Sequence, residues 1–434
     1  MRSEKLKVWN VEDQIFWEKT GKFIANRNLK CSIPCLFLAF SVWFIWSIVA
    51  VKLNNVGFNF SNNQLFTLAA VPGLSGATLR IFYSFVIPIF GGKTWTVISN
   101  SSLLIPSLLI GYFIQDPTTS YTTMIILGFT CGFGGGNFAS SMSNISFFYP
   151  KKFQGTVLGL NAGLGNLGVS ALQFIAPLVL TYGFFWETPQ ILSNNNFIWL
   201  QNASYVWVVP VIITTIFAFF YMDNLPGIQF SLSSLSSQFI IFKRKHMYLT
   251  TWLYIMSFGS FIGYSAAFPL LIKIQFPEID PLKYAFLGPM VGAIIRPIGG
   301  IISDKFGGAK ITFIDLLFMI FFVFGVIYFI NPATKNFIGF FIMFIFLFIT
   351  TGIANGSVFQ IIPMYFSPKE SAAVLGFSSA IAAYGAFFIP KSFGLSIQKT
   401  GSPTFALYCF IVYYISCLII TWWFYLRNSK NIIV

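Results

Sequence analysis

The apolar residues of this chain come in about twelve long runs, and almost every charge lies between the runs rather than inside them. The runs fall near 31–51, 64–90, 94–114, 121–148, 155–181, 204–222, 247–272, 285–303, 311–330, 337–366, 371–395 and 404–426. Each is long enough for a helix to cross a hydrocarbon core of ~30 Å. None shows the alternation, in segments of about 10 residues, that a membrane β-barrel needs. In lipid the backbone must satisfy its own hydrogen bonds, which leaves helices. The expectation is therefore an all-α membrane protein with 12 transmembrane helices. Composition agrees: 56% of the 434 residues are apolar and 9% are charged, where a soluble chain carries roughly 25% charged residues. Secreted, disulfide-built and disordered classes are excluded.

The net charge of +14 does not point to nucleic acid, because the basic residues sit at the ends of spans rather than on one face. With the N-terminus inside, eighteen Lys and Arg lie on the inner side and six outside. That bias predicts a multi-pass protein with both termini cytoplasmic. Charges run through residue 30 before the first apolar run, so no cleavable signal peptide is expected. The five cysteines, Cys31, Cys35, Cys131, Cys409 and Cys417, form no CxxC pair and read as buried free thiols. With a single histidine, His246, they build no metal site of sensible spacing. Neither a metal nor a cofactor is expected, and no nucleophile–base pair marks an enzyme.

The chain repeats itself. Arg80 is followed ten residues on by Phe90-Gly91-Gly92, and Arg296 ten residues on by Phe306-Gly307-Gly308. Val157-Leu158-Gly159 is matched by Val374-Leu375-Gly376, at nearly the same distance from the arginine, and a further glycine follows nine residues later at Gly168 and Gly385. Two motifs at a shared spacing imply two pseudo-symmetric six-helix halves, 31–222 and 247–426. They would be joined by a cytoplasmic linker, 223–246, and flanked by cytoplasmic tails, 1–30 and 427–434. Parallel six-helix repeats are the plan of the major facilitator fold, with its site at the midplane between the halves. The stretch from Gly300 through Asp304, Lys305 and Gly307 to Lys310 is similar to that superfamily's loop motif and implies a gate contact on the inner face.

Arg80 and Arg296 are the two basic residues near the middle of spans, in spans two and eight. Burying an arginine there costs from ~3 to over ~10 kcal/mol. Ten of the twelve acidic residues lie in tails or loops, and Asp304 and Asp315 lie too near the inner edge to serve both arginines. Two guanidiniums ~8 Å apart repel by about 2 kcal/mol at an effective dielectric of ~20, whereas an anion ~4 Å from each gains about 4 kcal/mol twice. Two cations converging on one small anion is the functional reading. The planar fork suits a planar oxyanion. The glycines of spans four, five and eleven pack helices closely or let them slide. Asn137 and Asn166 face the pore or bond between helices.

These residues resemble the nitrate/nitrite porter family of the major facilitator superfamily, in its bacterial NarK-type antiporter branch. The resemblance runs from Asp13 to the end. It rests on Val56–Phe60, Gly136–Pro150, Gly159–Gly168 and Phe387–Gly394. It implies that Arg80 and Arg296 bind substrate, with Phe40 and Phe138 packed on the anion and Asn166 near it. Tyr254 and Phe258 would support the second arginine and the substrate. It also implies two signature helices carrying Gly159, Gly163, Gly165 and Gly168, and Gly376 and Gly385. The implied activity is exchange of nitrate for nitrite without protons, by a monomer in the bacterial inner membrane, serving nitrate assimilation. Ala162, Ala382 and Ala386 stand where the family usually has glycine, and Tyr384 where it has an apolar residue. The alternatives are a transporter of another small monovalent anion, a nitrate/proton symporter, or a membrane anion sensor.

Overall fold

The computed structural model describes residues 9–184, 188–192, 196–225, 239–366 and 368–427. The ends of both expected tails and most of the expected linker, 226–238, lie outside the described residues.

Twelve helical spans follow one another. They are α1 (Gln14–Val56), α2 (Asn62–Tyr83), α3 (Gly92–Phe113), α4 (Tyr121–Phe148), α5 (Lys151–Val179), α6 (Asn202–Tyr221), α7 (Lys245–Gln275), α8 (Pro281–Phe306), α9 (Gly308–Ile330), α10 (Phe337–Tyr365), α11 (Pro368–Ala383 continued by Gly385–Thr400) and α12 (Thr404–Leu426). Eleven of them are long and apolar enough to cross a membrane. The twelfth, α4, has the length, 28 residues, but its run of Gly, Ser and Asn dilutes its apolarity. Between α5 and α6 a two-residue antiparallel ladder, Gln190–Ile191 with Phe197–Ile198, is the one non-helical element among the described residues.

Local sequence sets the starts. Ser61 and Gln64 form a reciprocal capping box at α2, which satisfies two orphan N–H groups. Ser120 and Asn336 cap α4 and α10. Two boundaries differ from expectation by more than five residues. The first helix begins at Gln14, well before residue 31, because Trp17, Ile24, Ala25 and Leu29 bury an apolar stripe against Ile145, Phe148 and Tyr149. The second ends at Tyr83, and the chain turns through 84–86 into a short helix, Ile87–Phe90. The sequence hides that turn because its residues are as apolar as the helix.

The repeat is visible in the packing. In the first half α1 packs on α5, α2 on α4 and α3 on α6. In the second, α7 packs on α11, α8 on α10 and α9 on α12. Gly91 and Gly307, at matching loops, share one backbone conformation, with φ 82° and 89°. Only glycine adopts that without strain.

The halves touch at one end and part at the other. At the end away from the termini, Lys52 pairs with Asp280 at 3.2 Å. Lys273 donates to the Val51 carbonyl and to Asn55. Lys391 donates to Asn63 and Thr67. At the opposite end, a Cβ added at Gly155, Gly159, Gly163, Gly300 or Gly376 would meet nothing within 4 Å. Asp304, expected as a gate contact there, is exposed and takes no part in the three ion pairs among the described residues. All five cysteines are free. Four are buried or half-buried, but Cys409 is exposed on the outer face of α12, where lipid would cover it.

Candidate functional site

Arg80 lies in the last turn of α2, not at its middle, because the helix stops at Tyr83. Its side chain is fully buried. Nε donates to the Gly135 carbonyl at 2.8 Å, and Nη1 donates to the Ser379 carbonyl at 3.2 Å. Nη2 has no partner within the protein. The guanidinium sits in an aromatic box, 4.6 Å from the ring centre of Phe138, 5.1 Å from Phe258, 5.2 Å from Trp43 and 6.0 Å from Phe40. Ring faces offset part of the cost of burying the charge, by about 1–2 kcal/mol each at best. They supply no acceptor, so a donor is left over.

Arg296 lies within α8 and is 7% exposed. Its Nη2 donates to the Tyr254 hydroxyl at 3.4 Å. Its Nη1 is unpartnered. The ring of Phe359 lies 4.9 Å from the guanidinium carbon. Tyr254 stacks on Phe359 at 4.9 Å and on Phe258 at 5.6 Å. Phe258 stacks in turn on Phe138, from the other half, at 6.3 Å. The chain Arg80–Phe258–Tyr254–Arg296 thus joins the two arginines across the interface. A π-helical turn, Ile255–Gly259, lies in α7 between Tyr254 and Ser260. Such turns interrupt the helix register, often at functional sites.

Among the described residues no carboxylate pairs with either arginine. A buried charge without a partner costs several kcal/mol. Two such charges, each with an unused donor, make a ready receptor for an anion.

Of the residues expected at the site, Phe40, Phe138 and Phe258 surround Arg80, and Tyr254 holds Arg296. Asn166 is buried in α5, its Oδ1 is unpartnered, and it makes no hydrogen bond with either arginine. Asn137 donates to the Ser99 carbonyl of α3 at 3.4 Å, an interhelical bond. The signature glycines divide. Gly165, Gly168 and Gly385 are packed: a Cβ would sit 2.7 Å from the Leu36 side chain, 2.0 Å from the Phe37 carbonyl and 2.3 Å from the Gly259 carbonyl. Gly159, Gly163 and Gly376 face open space and pack against nothing in this conformation. Sequence reasoning missed Trp43, Phe359 and the carbonyls of Gly135 and Ser379. Trp43 was findable, since it follows Phe40 by one helical turn. The carbonyls were not, because which ones come free depends on where α2 meets α4 and α11.

Comparison with known proteins decides the family. The profile of the Major Facilitator Superfamily matches residues 33–390. The chain belongs to that superfamily. Within it, the chain is 45% identical to the "Nitrate/nitrite transporter NarU" of Escherichia coli (strain K12), over 98% of this chain and 96% of that protein. It is 38% identical to the "Probable nitrate/nitrite antiporter NarK2" of Thermus thermophilus, over 98% and 97%. Among solved structures, a D-xylose–proton symporter superposes with a TM-score of 0.73 at 15% identity, covering 94% of this chain and 99% of that one. An inward-open form of the xylose transporter XylE from E. coli gives 0.70 at 14%, over 94% and 98%. At that identity the likeness speaks for the fold alone. The transporter is accordingly a two-half, multi-pass carrier and not an enzyme.

Proposed function

We propose that the transporter exchanges nitrate for nitrite by alternating access, one anion at a time being held between Arg80 and Arg296. The observation that carries this is the pair of buried guanidiniums, one from each half, each with an unpartnered Nη and, among the described residues, no carboxylate paired with it. A small planar monovalent oxyanion satisfies both forks at once. The names of the relatives, which align over nearly the whole chain, support nitrate and nitrite as that anion.

Exchange follows from the charges. An unloaded carrier moving through a drier, occluded state brings two like charges together in a lower dielectric, which strengthens their repulsion. A bound anion relieves it, so the loaded carrier crosses and the unloaded one stalls. Both anions carry one charge, so a full cycle moves none. The halves 31–222 and 247–426 are the rocking bodies, and the linker and both termini are cytoplasmic, on the lysine and arginine bias. The end that is open here then faces the cytoplasm of a bacterial inner-membrane protein working as a monomer.

The test is nitrate uptake into liposomes with and without internal nitrite, under imposed pH and voltage gradients. The expected result is uptake that requires internal nitrite and ignores both gradients. Uptake into anion-free liposomes driven by an inward proton gradient would overturn the exchange reading.

A further inference from the structure

Tyr384 stands on α11 where the sequence departs from its resemblance, and the structure gives its hydroxyl a partner in the other half. The Tyr384 Oη lies 2.9 Å from Oγ1 of Thr78 on α2. The direction of that bond can be worked out. Thr78 already donates its one proton to the Leu74 carbonyl at 2.8 Å. Its oxygen is therefore an acceptor, and Tyr384 is the donor.

The position of the bond matters as much as its partners. The seam between α2 and α11 runs antiparallel from the closed end inward. Asn63 bonds Gln398 at 2.8 Å. Phe66 packs near Phe393, and a Cβ on Gly394 would meet Phe66. A Cβ on Gly73 would sit 2.5 Å from the Ala386 backbone. Then comes Thr78 with Tyr384, then Arg80 with the Ser379 carbonyl. Beyond that, at Gly376, a Cβ meets nothing within 4 Å. Along this seam, among the described residues, Tyr384 thus makes the last hydrogen bond between two side chains before the halves part. Tyr384 lies at the break in α11 between Ala383 and Gly385, and its partner Thr78 lies two residues before Arg80 on α2.

We propose that Tyr384 is a positioning residue that holds α2 and α11 together beside Arg80 and so biases the carrier toward the conformer seen here. It acts through the helix that carries the arginine, without touching the anion. The bond ties the halves independently of substrate, whereas the Arg80–Ser379 bond competes with it for the guanidinium. A neutral hydrogen bond of this kind shifts a two-state equilibrium roughly two- to tenfold. An apolar residue at this position lacks the bias.

The full chain in liposomes tests this, with Tyr384→Phe, Thr78→Val and the double variant, each nearly isosteric. Spin labels on cysteines placed at Asn62 and Lys399, both exposed at the closed end, report its opening. Cys31 and Cys409, the two cysteines that are not buried, are changed to serine in that background. The expected result is a roughly two- to tenfold rise in the separated population in each single variant, with no further rise in the double. Nitrate affinity should tighten by the same factor from the face closed here and barely move from the open face, since only the scarce conformer gains appreciably in proportion. An unchanged distance distribution in Tyr384→Phe, additive effects in the double variant, or equal affinity changes at both faces would overturn the proposal. The affinity arm rests on nitrate as substrate. If the wild type does not bind nitrate, that reading fails while the distance measurement still decides the role of Tyr384.

Discussion

At the scale of single residues the site is a problem of unspent hydrogen-bond donors. Arg80 spends two nitrogens on carbonyls, and Arg296 spends one on Tyr254. Lysine in either place keeps the charge but loses the fork. Arg80→Lys should abolish exchange, with nitrate binding about ten- to a hundredfold weaker for each lost charged hydrogen bond, while the protein still inserts. Full exchange activity in either lysine variant would remove the arginines from the site. Tyr254→Phe leaves the stack on Phe258 and Phe359 intact and frees a second nitrogen of Arg296. It should weaken binding less than Arg296→Lys does, by about two- to tenfold, in the same titration. The arginines were legible from sequence because a charge at the middle of an apolar run needs a partner, and no acidic residue of the chain lies near enough to serve both. Asn166 was carried by resemblance, and its side chain makes no contact that ties it to them.

At the scale of the helix, the glycines that look alike in sequence do different work. Gly134 and Gly132 on α4 pack where a Cβ would lie 2.1 Å from the Ala39 carbonyl and from the Ser75 hydroxyl. Gly168 on α5 is as tight against α1, but Gly159, nine residues earlier on the same helix, faces nothing. Gly168→Ala must therefore push α1 and α5 apart, costing about 1–3 kcal/mol. Gly159→Ala should leave stability in this conformer unchanged. If α5 slides on a partner when the closed end opens, Gly159→Ala should slow exchange all the same. Thermal unfolding beside exchange rates checks both, and equal destabilisation by the two alanines would show that Gly159 packs here as well. Periodicity announced small-residue helices. It could not say which glycines are in contact, because contact depends on where the halves have parted.

At the scale of the whole molecule, three lysines hold the closed end, and they are not equivalent. The Lys52–Asp280 pair is partly exposed, so it contributes about 0–1 kcal/mol. Lys391 is half-buried and bonds two neutral groups across the seam. Asp280→Asn should change the open–closed balance at that end little, and Lys391→Met should change it more. Labelling of a cysteine placed at the closed end measures both, and a larger effect from Asp280→Asn would invert the ranking.

The sequence by itself determined the number of spans, the two-half repeat and the two buried cations. Those follow from local physics: the length needed to cross hydrocarbon, and the cost of a charge within it. Some boundaries escaped it, as at Tyr83, where an apolar turn continues an apolar helix. Only the tertiary structure decided which end is closed, which carbonyls receive Arg80, which glycines touch and what Tyr384 holds. Each of these is a relation between residues that are far apart in the chain. Their geometry is set by how two similar halves lean on each other, and no periodicity within one helix encodes that angle.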